Sequence, residues 1–248
     1  MSTVDASGYA PEWLRLREGA DAAARAASLV DALSLRAPVV VRDLGCGTGS
    51  MSRWLTGRLP RPQRWFLHDR DPTLVKLAAA GVPDATGEVR DVTRLTAADL
   101  AGTSLVTASA LLDLFTVDEI RRLVEACAAA RVPALLTLSV VGRVTLTPPD
   151  PLDAAVEAAF NAHQQRDGRL GPDAVTFAAA EFAARGFTVH RAPSPWHLGP
   201  GDSALIDTWF RGWVSAAAEE NPELDLPAYR ARALETVTVE HEDLLALP

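Results

Sequence analysis

Three glycines at alternate positions follow a short apolar run, and they are the residues most suited to chemistry. The stretch Val39–Ser50 reads VVVRDLGCGTGS and contains Gly45, Gly47 and Gly49. Glycines let a backbone turn tightly and let a ligand approach without contact from Cβ atoms. Twenty positions after Gly49 comes Asp69, placed where a carboxylate can accept both hydroxyls of a ribose. A strand, glycine loop, helix, second strand and acid in this order predict a nucleoside-binding unit.

Other nucleotide-binding patterns fit this loop poorly. A dinucleotide-binding turn needs Gly-x-Gly-x-x-Gly, and Ser50 stands where its third glycine belongs. The Tyr-x-x-x-Lys pair of a short-chain dehydrogenase is missing, because Pro72 lies four positions before Lys76 and the chain has no other lysine. The sequence also lacks the Gly-x-x-x-x-Gly-Lys-Ser/Thr loop of nucleoside triphosphatases. These observations disfavour both nicotinamide and triphosphate binding.

The segments around the loop predict an α/β fold. Seven apolar runs have the pattern of strands, and they are residues 39–44, 64–68, 85–90, 104–109, 134–141, 187–191 and 237–240. Helical patterns occupy 11–35, 50–57, 72–80 and 117–130. This alternation predicts a doubly wound, mostly parallel, seven-stranded sheet with helices on both faces, and a ligand at the carboxyl ends of the strands.

The chain divides into two predicted parts. Residues 1–37 form a helical segment that we expect over the ligand site, and residues 38–248 form the main domain. Two segments near 150–171 and 193–234 have the character of helical insertions, which we expect to form a lid. In the second, apolar residues recur at helical spacing from Leu205 onward. That apolar face either packs on the sheet or a dimer partner, or it forms a wall of a substrate pocket.

Composition limits the functions open to the protein. With 248 residues, 48% hydrophobic and 23% charged, the chain is typical of a globular protein with one full core. Its net charge of −8 disfavours a nucleic-acid partner. Cys46 and Cys127 are too few for a disulfide framework or a zinc cluster. The longest apolar stretch, around 132–141, is too short to span a bilayer, so we expect no membrane partner.

Two further features bear on origin and location. The N-terminus carries no basic residue before Gly8 and leads into no apolar run, which favours a cytoplasmic protein. Arginine supplies nearly all the positive charge and alanine is abundant, which is typical of a GC-rich bacterial genome.

The motif DLGCGTG at Asp43–Gly49 resembles the first motif of the class I S-adenosylmethionine-dependent methyltransferases, and the resemblance extends over residues 39–141. It implies S-adenosylmethionine (SAM) as cofactor and S-adenosylhomocysteine (SAH) as product. It also implies that the glycine loop wraps the methionine and ribose parts and that Asp69 binds the ribose. The implied cofactor-binding residues are Asp43, Gly45, Cys46, Gly47, Thr48, Gly49, Asp69, Arg70, Asp91, Val92 and Ser109.

Three of these residues have alternative interpretations. Asp43 supports either the loop or the ammonium group of the cofactor. The resemblance places Asp91, with Val92, at the adenine edge, but the Asp91 carboxylate is equally able to cap the turn that follows. Ser109 ends the fourth strand beside the cofactor, or its hydroxyl satisfies a local amide.

Residues of the acceptor site are less well defined. A general base is needed only when the acceptor keeps its proton at neutral pH, as a hydroxyl, an amide or a carbon acid does. The candidate catalytic residues are Asp113 and His163, and the candidate substrate-binding residues are Tyr9, Trp13, Arg17, His197, Trp209 and Trp213. Each has a structural alternative. Asp113 is able to cap a turn, His163 to lie on a solvated helix face, and His197 to pack within a loop.

Missing motifs narrow the implied activity. No Asn/Asp-Pro-Pro-Tyr follows the fourth strand, neither cysteine is preceded by proline, and no Asp-Asn pair follows the fifth strand. We therefore expect no metal, and we expect methylation of a small-molecule acceptor by in-line transfer. The alternatives are a SAM-binding module or regulatory subunit that does not methylate and, less favoured, a protein or RNA methyltransferase. A monomer and a homodimer both remain open.

Overall fold

The strands of the protein form one large sheet and one small hairpin. In this computed structural model, residues 4–5 and 8–248 are described, with the backbone alone for residues 4, 5, 8 and 9. Strands β1 (Val4–Asp5) and β2 (Gly8–Tyr9) pair with each other. The other strands found in these ranges belong to the large sheet, and they are β3 (Val39–Leu44), β4 (Gln63–Asp69), β5 (Ala85–Val89), β6 (Leu105–Ser109), β7 (Ala134–Thr147), β8 (Thr188–Pro193), β9 (Trp196–Leu198) and β10 (Thr236–Leu247).

The sheet is mostly parallel, as the sequence predicts. Its order is β5-β4-β3-β6-β7-β10-β8, and β9 also pairs with β10. The five strands from β5 to β7 are mutually parallel, whereas β10 is antiparallel to each of its neighbours. The prediction of seven strands needs one correction, because β9 adds an eighth short strand inside the second insertion.

Two strands are much longer than their apolar runs indicate. β7 continues past the predicted end at residue 141, and β10 continues past residue 240. The two pair with each other from Thr147 opposite Thr236 to Ala134 opposite Ala246. Long antiparallel pairing satisfies backbone groups that the apolar pattern alone does not mark.

Helices cover both faces of the sheet. They are α1 (Pro11–Ala24), α2 (Ala27–Asp31), α3 (Ser50–Thr56), α4 (Pro72–Gly81), α5 (Val117–Ala130), α6 (Asp153–Gln164), α7 (Ala174–Ala184), α8 (Ser203–Glu220) and α9 (Pro227–Arg230). Successive strand residues lie on opposite faces of the sheet, and each face has its own apolar core. Leu136 packs with α5 and α7, whereas Leu135 packs with α2 and α3. No helix in the described part of the chain has the length and apolar character of a bilayer span.

The two insertions build a third core of their own. Residues of α6, α8 and α9 pack together with β9, with the C-terminal end of β7 and with the N-terminal end of β10. The apolar face of α8 therefore packs on this part of the sheet, with Leu205 and Phe210 buried. Helix α7, which follows the first insertion, has no counterpart among the helices predicted from the sequence.

The single helix predicted over 11–35 is wrong, because the chain breaks between α1 and α2. Arg25 and Ala26 adopt extended backbone conformations there. The break is held by Asp243, whose Oδ2 accepts a hydrogen bond of 2.8 Å from the backbone N–H of Ala26. A buried carboxylate on β10 thus accepts a backbone hydrogen bond at the point where the helix ends.

Candidate functional site

A cavity of about 820 Å³ opens at the carboxyl ends of the parallel strands. β3 and β6 are neighbours in the sheet although β4 and β5 lie between them in sequence, so the strand order reverses at this point. Ligands of open α/β sheets bind at such a reversal. The walls also include residues of α1, α6, α8, β7 and β10. This volume lies in the upper part of the range of about 300–1,000 Å³ that ligand pockets occupy.

The glycine loop lies against the cavity in a left-handed backbone conformation that favours glycine. Gly45 and Gly47 have φ angles of +61° and +52°, which residues with a Cβ rarely adopt. A Cβ on Gly45 would also lie 2.9 Å from the Leu111 side chain. The backbone N–H of Gly47 donates a 3.0 Å hydrogen bond to Oδ2 of Asp69. The acid that the sequence pairs with the loop is therefore in direct contact with it.

Gly49 serves the packing of the loop and does not line the cavity. Its φ is +88°, and a Cβ there would lie 3.3 Å from Cα of Ala78 on α4. The preceding residue, Thr48, does line the cavity, and its buried hydroxyl has no hydrogen-bond partner within the described ranges.

Asp43 is buried beneath the loop. Its two oxygens accept hydrogen bonds from the hydroxyls of Ser52 (2.7 Å) and Thr107 (2.8 Å). Burial raises the pKa of this carboxyl to about 6, although both hydroxyl donors lower it. These bonds fit the interpretation of Asp43 as a support for the loop, and Asp43 also lines the cavity.

Asp91 caps the turn that follows it. Its Oδ1 accepts hydrogen bonds from the backbone N–H and the hydroxyl of Thr93, at 3.0 and 2.7 Å. The Thr93 hydroxyl in particular lowers the pKa of the carboxyl. Asp91 nevertheless lines the cavity together with Val92 and Arg70, so capping does not remove it from the site.

Arg25 is a cavity residue that the sequence does not predict. It lies between α1 and α2 and is 4% exposed. Its Nη2 donates to the hydroxyls of Ser50 and Ser109, each at 3.2 Å. Its Nε and Nη1 have no hydrogen-bond partner among the described residues, although Arg25 lines the cavity. A carboxylate is the ligand that best satisfies such N–H groups. A lone arginine in an alanine-rich helical pattern gives no signal of this role.

The predicted acceptor residues divide into those at the cavity and those elsewhere. Asp113, His163, Trp13, Arg17, Trp209 and Trp213 line it. Asp113 is buried, which raises the pKa of its carboxyl. His197 does not line it, because its side chain is exposed on β9, 3.4 Å from the Thr238 hydroxyl. Tyr9 lies in β2, and its side chain is outside the described part of the structure.

Arg17 and His163 have protein partners at the cavity wall. The guanidinium of Arg17 forms a largely buried ion pair with Asp21 and lies 4.8 Å from the ring centre of Trp196. Trp196 in turn donates its indole N–H to Asp21 at 3.0 Å. The His163 Nε2 lies 3.3 Å from Oε2 of Glu219. Both side chains are therefore oriented by neighbouring carboxylates.

His241 is the second residue that the sequence analysis missed. It lies on β10, is 4% exposed, lines the cavity and packs against Trp196 with ring centres 5.4 Å apart. A signal was present, because Val237, Val239, His241 and Asp243 alternate along one face of the strand and all are buried. The predicted strand ended at residue 240, so this alternation was not followed.

Comparisons with known proteins show the fold. No family model matches the sequence, and no curated protein sequence matches it. A cyclopropane synthase from Mycobacterium tuberculosis superimposes with a TM-score of 0.50 at 13% identity, covering 88% of this chain and 81% of that one. A mycolic acid cyclopropane synthase in complex with SAH also gives 0.50, at 12% identity, with 89% and 83% covered. The protein therefore has the fold of the class I SAM-dependent methyltransferases.

Proposed function

We propose that the protein is a SAM-dependent methyltransferase that acts on a small-molecule acceptor. The observation that carries this proposal is Arg25, a buried guanidinium whose Nε and Nη1 lack partners in the described chain. It lies in the same cavity as the glycine loop and Asp69. The methionine part of SAM has a carboxylate that suits Arg25, and its ribose has hydroxyls that suit Asp69. The residues present thus fit the cofactor.

The protein's contribution to catalysis is mainly placement. SAM supplies a methyl group on a positively charged sulfur, which becomes neutral on transfer. Arg25 would hold the methionine carboxylate and Asp69 the ribose, while Gly45 and Gly47 let the part of the cofactor between these groups approach the backbone. Holding two reactants in line in this way supplies about 7–11 kcal/mol of the barrier reduction.

Asp113 is the residue we assign as general base for an acceptor that must lose a proton. It follows β6 and lines the cavity. Burial raises the pKa of its carboxyl, which makes it a better proton acceptor than an exposed aspartate. The His163 imidazole, whose Nε2 lies 3.3 Å from Glu219, is the second candidate for this proton transfer.

The cavity favours an enzyme that acts on a small molecule over a SAM-binding module without activity and over a protein or RNA methyltransferase. Helices α1, α6 and α8 form walls beside the cofactor residues, and they enclose space for a second molecule. A module that binds SAM without methylation would need no such space. A protein or RNA methyltransferase needs an exposed groove, and for RNA a basic stripe, whereas this chain carries a net charge of −8. We also propose a cytoplasmic bacterial enzyme that works as a monomer or a homodimer.

Calorimetric titration tests this function. We expect SAM and SAH to bind at micromolar concentration and a nicotinamide cofactor not to bind. Asp69→Ala should weaken SAH binding about tenfold or more, because it removes charge-assisted hydrogen bonds to ligand and loop. The control is Asp118→Ala, the same change at an exposed site on α5 outside the cavity. Failure of SAM and SAH to bind the wild-type protein would overturn the proposal.

A further inference from the structure

Two buried nitrogen atoms in the cavity wall lack hydrogen-bond partners. They are Nε1 of Trp213, on a side chain 2% exposed, and Nδ1 of His241, and neither forms a hydrogen bond of normal geometry in the described structure, although the Val239 backbone interacts with the His241 imidazole and raises its pKa. Both residues line the cavity. An indole N–H is a donor and never an acceptor. Because a buried polar group without a hydrogen bond is unfavourable, a ligand that supplies an acceptor oxygen gains affinity here.

The surroundings of Trp213 suit a flat ring. Trp209 stacks on it with ring centres 5.3 Å apart and planes inclined by 19°. Phe160 of α6 lies against it with centres 6.3 Å apart. Trp209 and Phe160 both line the cavity as well. Aromatic side chains bind planar molecules by offset stacking or edge-to-face contact.

The two nitrogen atoms belong to neutral side chains, although charged groups line the cavity around them. Arg17 is paired with Asp21, and Arg143, Glu240 and Glu219 also line the cavity. His241 is neutral at physiological pH, because burial and the nearby Arg17 lower its pKa to about 3. An indole N–H and a neutral imidazole suit an uncharged oxygen of the acceptor, and the indole N–H repels a cationic donor.

We propose that the methyl acceptor is a planar aromatic or heteroaromatic molecule with an oxygen at its edge, such as a phenol or a ring carbonyl, that Trp213 and His241 bind by hydrogen bonds. The proposal rests on the proposed function, because it assigns the acceptor half of the same cavity. It makes Trp213 and His241 residues that determine specificity, and it assigns His241 a role that the sequence did not reveal.

Binding to the SAH complex tests this proposal. The probes are 7-hydroxycoumarin, 2-naphthol, 4-quinolone and xanthine, with protonated 2-naphthylmethylamine as the cationic counterpart, titrated into SAH-saturated protein. We expect at least one oxygen-bearing probe to bind, and to bind more tightly than the amine. Trp213→Phe and His241→Phe should each weaken that probe about fivefold to tenfold, since each removes a hydrogen bond to a buried group.

A matched control separates this effect from loss of structure. Trp65→Phe makes the same change at a buried indole whose N–H donates to Gln63, outside the cavity. Probe binding should be unchanged in Trp65→Phe, and SAH should bind all three variants within about twofold of wild type. Three outcomes with SAH binding retained would overturn the acceptor class alone. They are that no probe binds, that the amine binds more tightly than the oxygen-bearing probes, or that both cavity variants bind the probe with full affinity. Failure of SAH itself to bind overturns the proposed function.

Discussion

At the scale of single residues, the buried charge of Arg25 lacks full compensation by the protein itself. Arg25 has hydroxyl partners on one nitrogen and none among the described residues on the other two. Burial lowers the pKa of its guanidinium, against the opposing effect of Asp21 and Asp43. A buried charge without full compensation costs stability, and a ligand of opposite charge recovers that cost.

The substitution Arg25→Met tests this balance. It keeps an unbranched side chain and removes the buried charge, so the melting temperature of the ligand-free protein should stay the same or rise. The increase in melting temperature that SAH gives the wild type should be lost, as differential scanning fluorimetry measures. Arg58→Met is the matched control, because Arg58 contacts the same Trp54 ring but lies outside the cavity. A full SAH-induced shift in Arg25→Met would contradict the assigned carboxylate contact.

Asp43 predicts a pH dependence of stability. Its folded-state pKa is raised to about 6 from an ordinary value of 3.8, so the folded protein holds this proton more tightly than the unfolded chain. The stability from the proton is fully present below about pH 4 and is lost as the pH rises through 6. The Asp43→Asn variant has no titrating group at this position, so its stability does not change with pH for this reason. Urea unfolding should therefore show that wild type loses about 2 kcal/mol of stability relative to Asp43→Asn between pH 4 and 7. A difference that stays constant over this range would refute the assignment.

At the scale of elements, Asp243 on β10 connects three parts of the chain. Its carboxylate accepts hydrogen bonds from Ala26 after α1, from Leu138 on β7 and from the Ser194 hydroxyl before β9. Leu138 has a φ of +55°, a conformation that is strained for a leucine, and it lines the cavity. One buried carboxylate thus holds the turn that follows Arg25, and it also holds the strained backbone of Leu138 at the cavity wall.

Removal of this carboxylate should affect both stability and binding. Asp243→Ala leaves three donors without an acceptor, two of them buried, so we expect the free energy of unfolding to fall by about 3 kcal/mol or more. SAH affinity should fall as well, because the turn at Ala26 no longer holds Arg25. Asp243→Asn keeps the size and one acceptor oxygen, and should show smaller losses of both. Chemical denaturation and calorimetry measure the two effects, and an unchanged stability of Asp243→Ala would contradict this role.

The elements also show what the sequence can predict. Strands β3 to β6 and helices α4 and α5 lie within a residue or two of their predicted positions, because apolar periodicity and clear cap residues mark them. The break before Ala26 has no such mark, since its cause is a carboxylate 217 positions away in sequence. A local motif was thus enough to predict that Asp69 lies beside the glycine loop, whereas the position of Arg25 at the cavity depends on the tertiary structure.

At the scale of the whole molecule, one cavity joins the N-terminal helix, the parallel strands and the insertions. Hydrogen exchange should therefore report ligand binding in separate segments. SAH should slow amide exchange most in residues 11–26 and 45–49, because Leu14, Arg25 and the glycine loop surround the cofactor side. Helix α7 packs outside the cavity and serves as the internal reference. If SAH protects the amides of α7 and α1 equally at short exchange times, the proposed location of SAH in this cavity is wrong.

The sheet order has a consequence for synthesis on the ribosome. In the described chain β8 pairs with β10 alone, although α8 and α9 separate the two strands in sequence. A nascent chain that has just released β8 thus has an unpaired strand and an open edge on β7, where other chains can add. His241 and Asp243 emerge later still. The first half of the chain can begin to fold during translation, but the cavity is complete only after β10 has been added to the sheet.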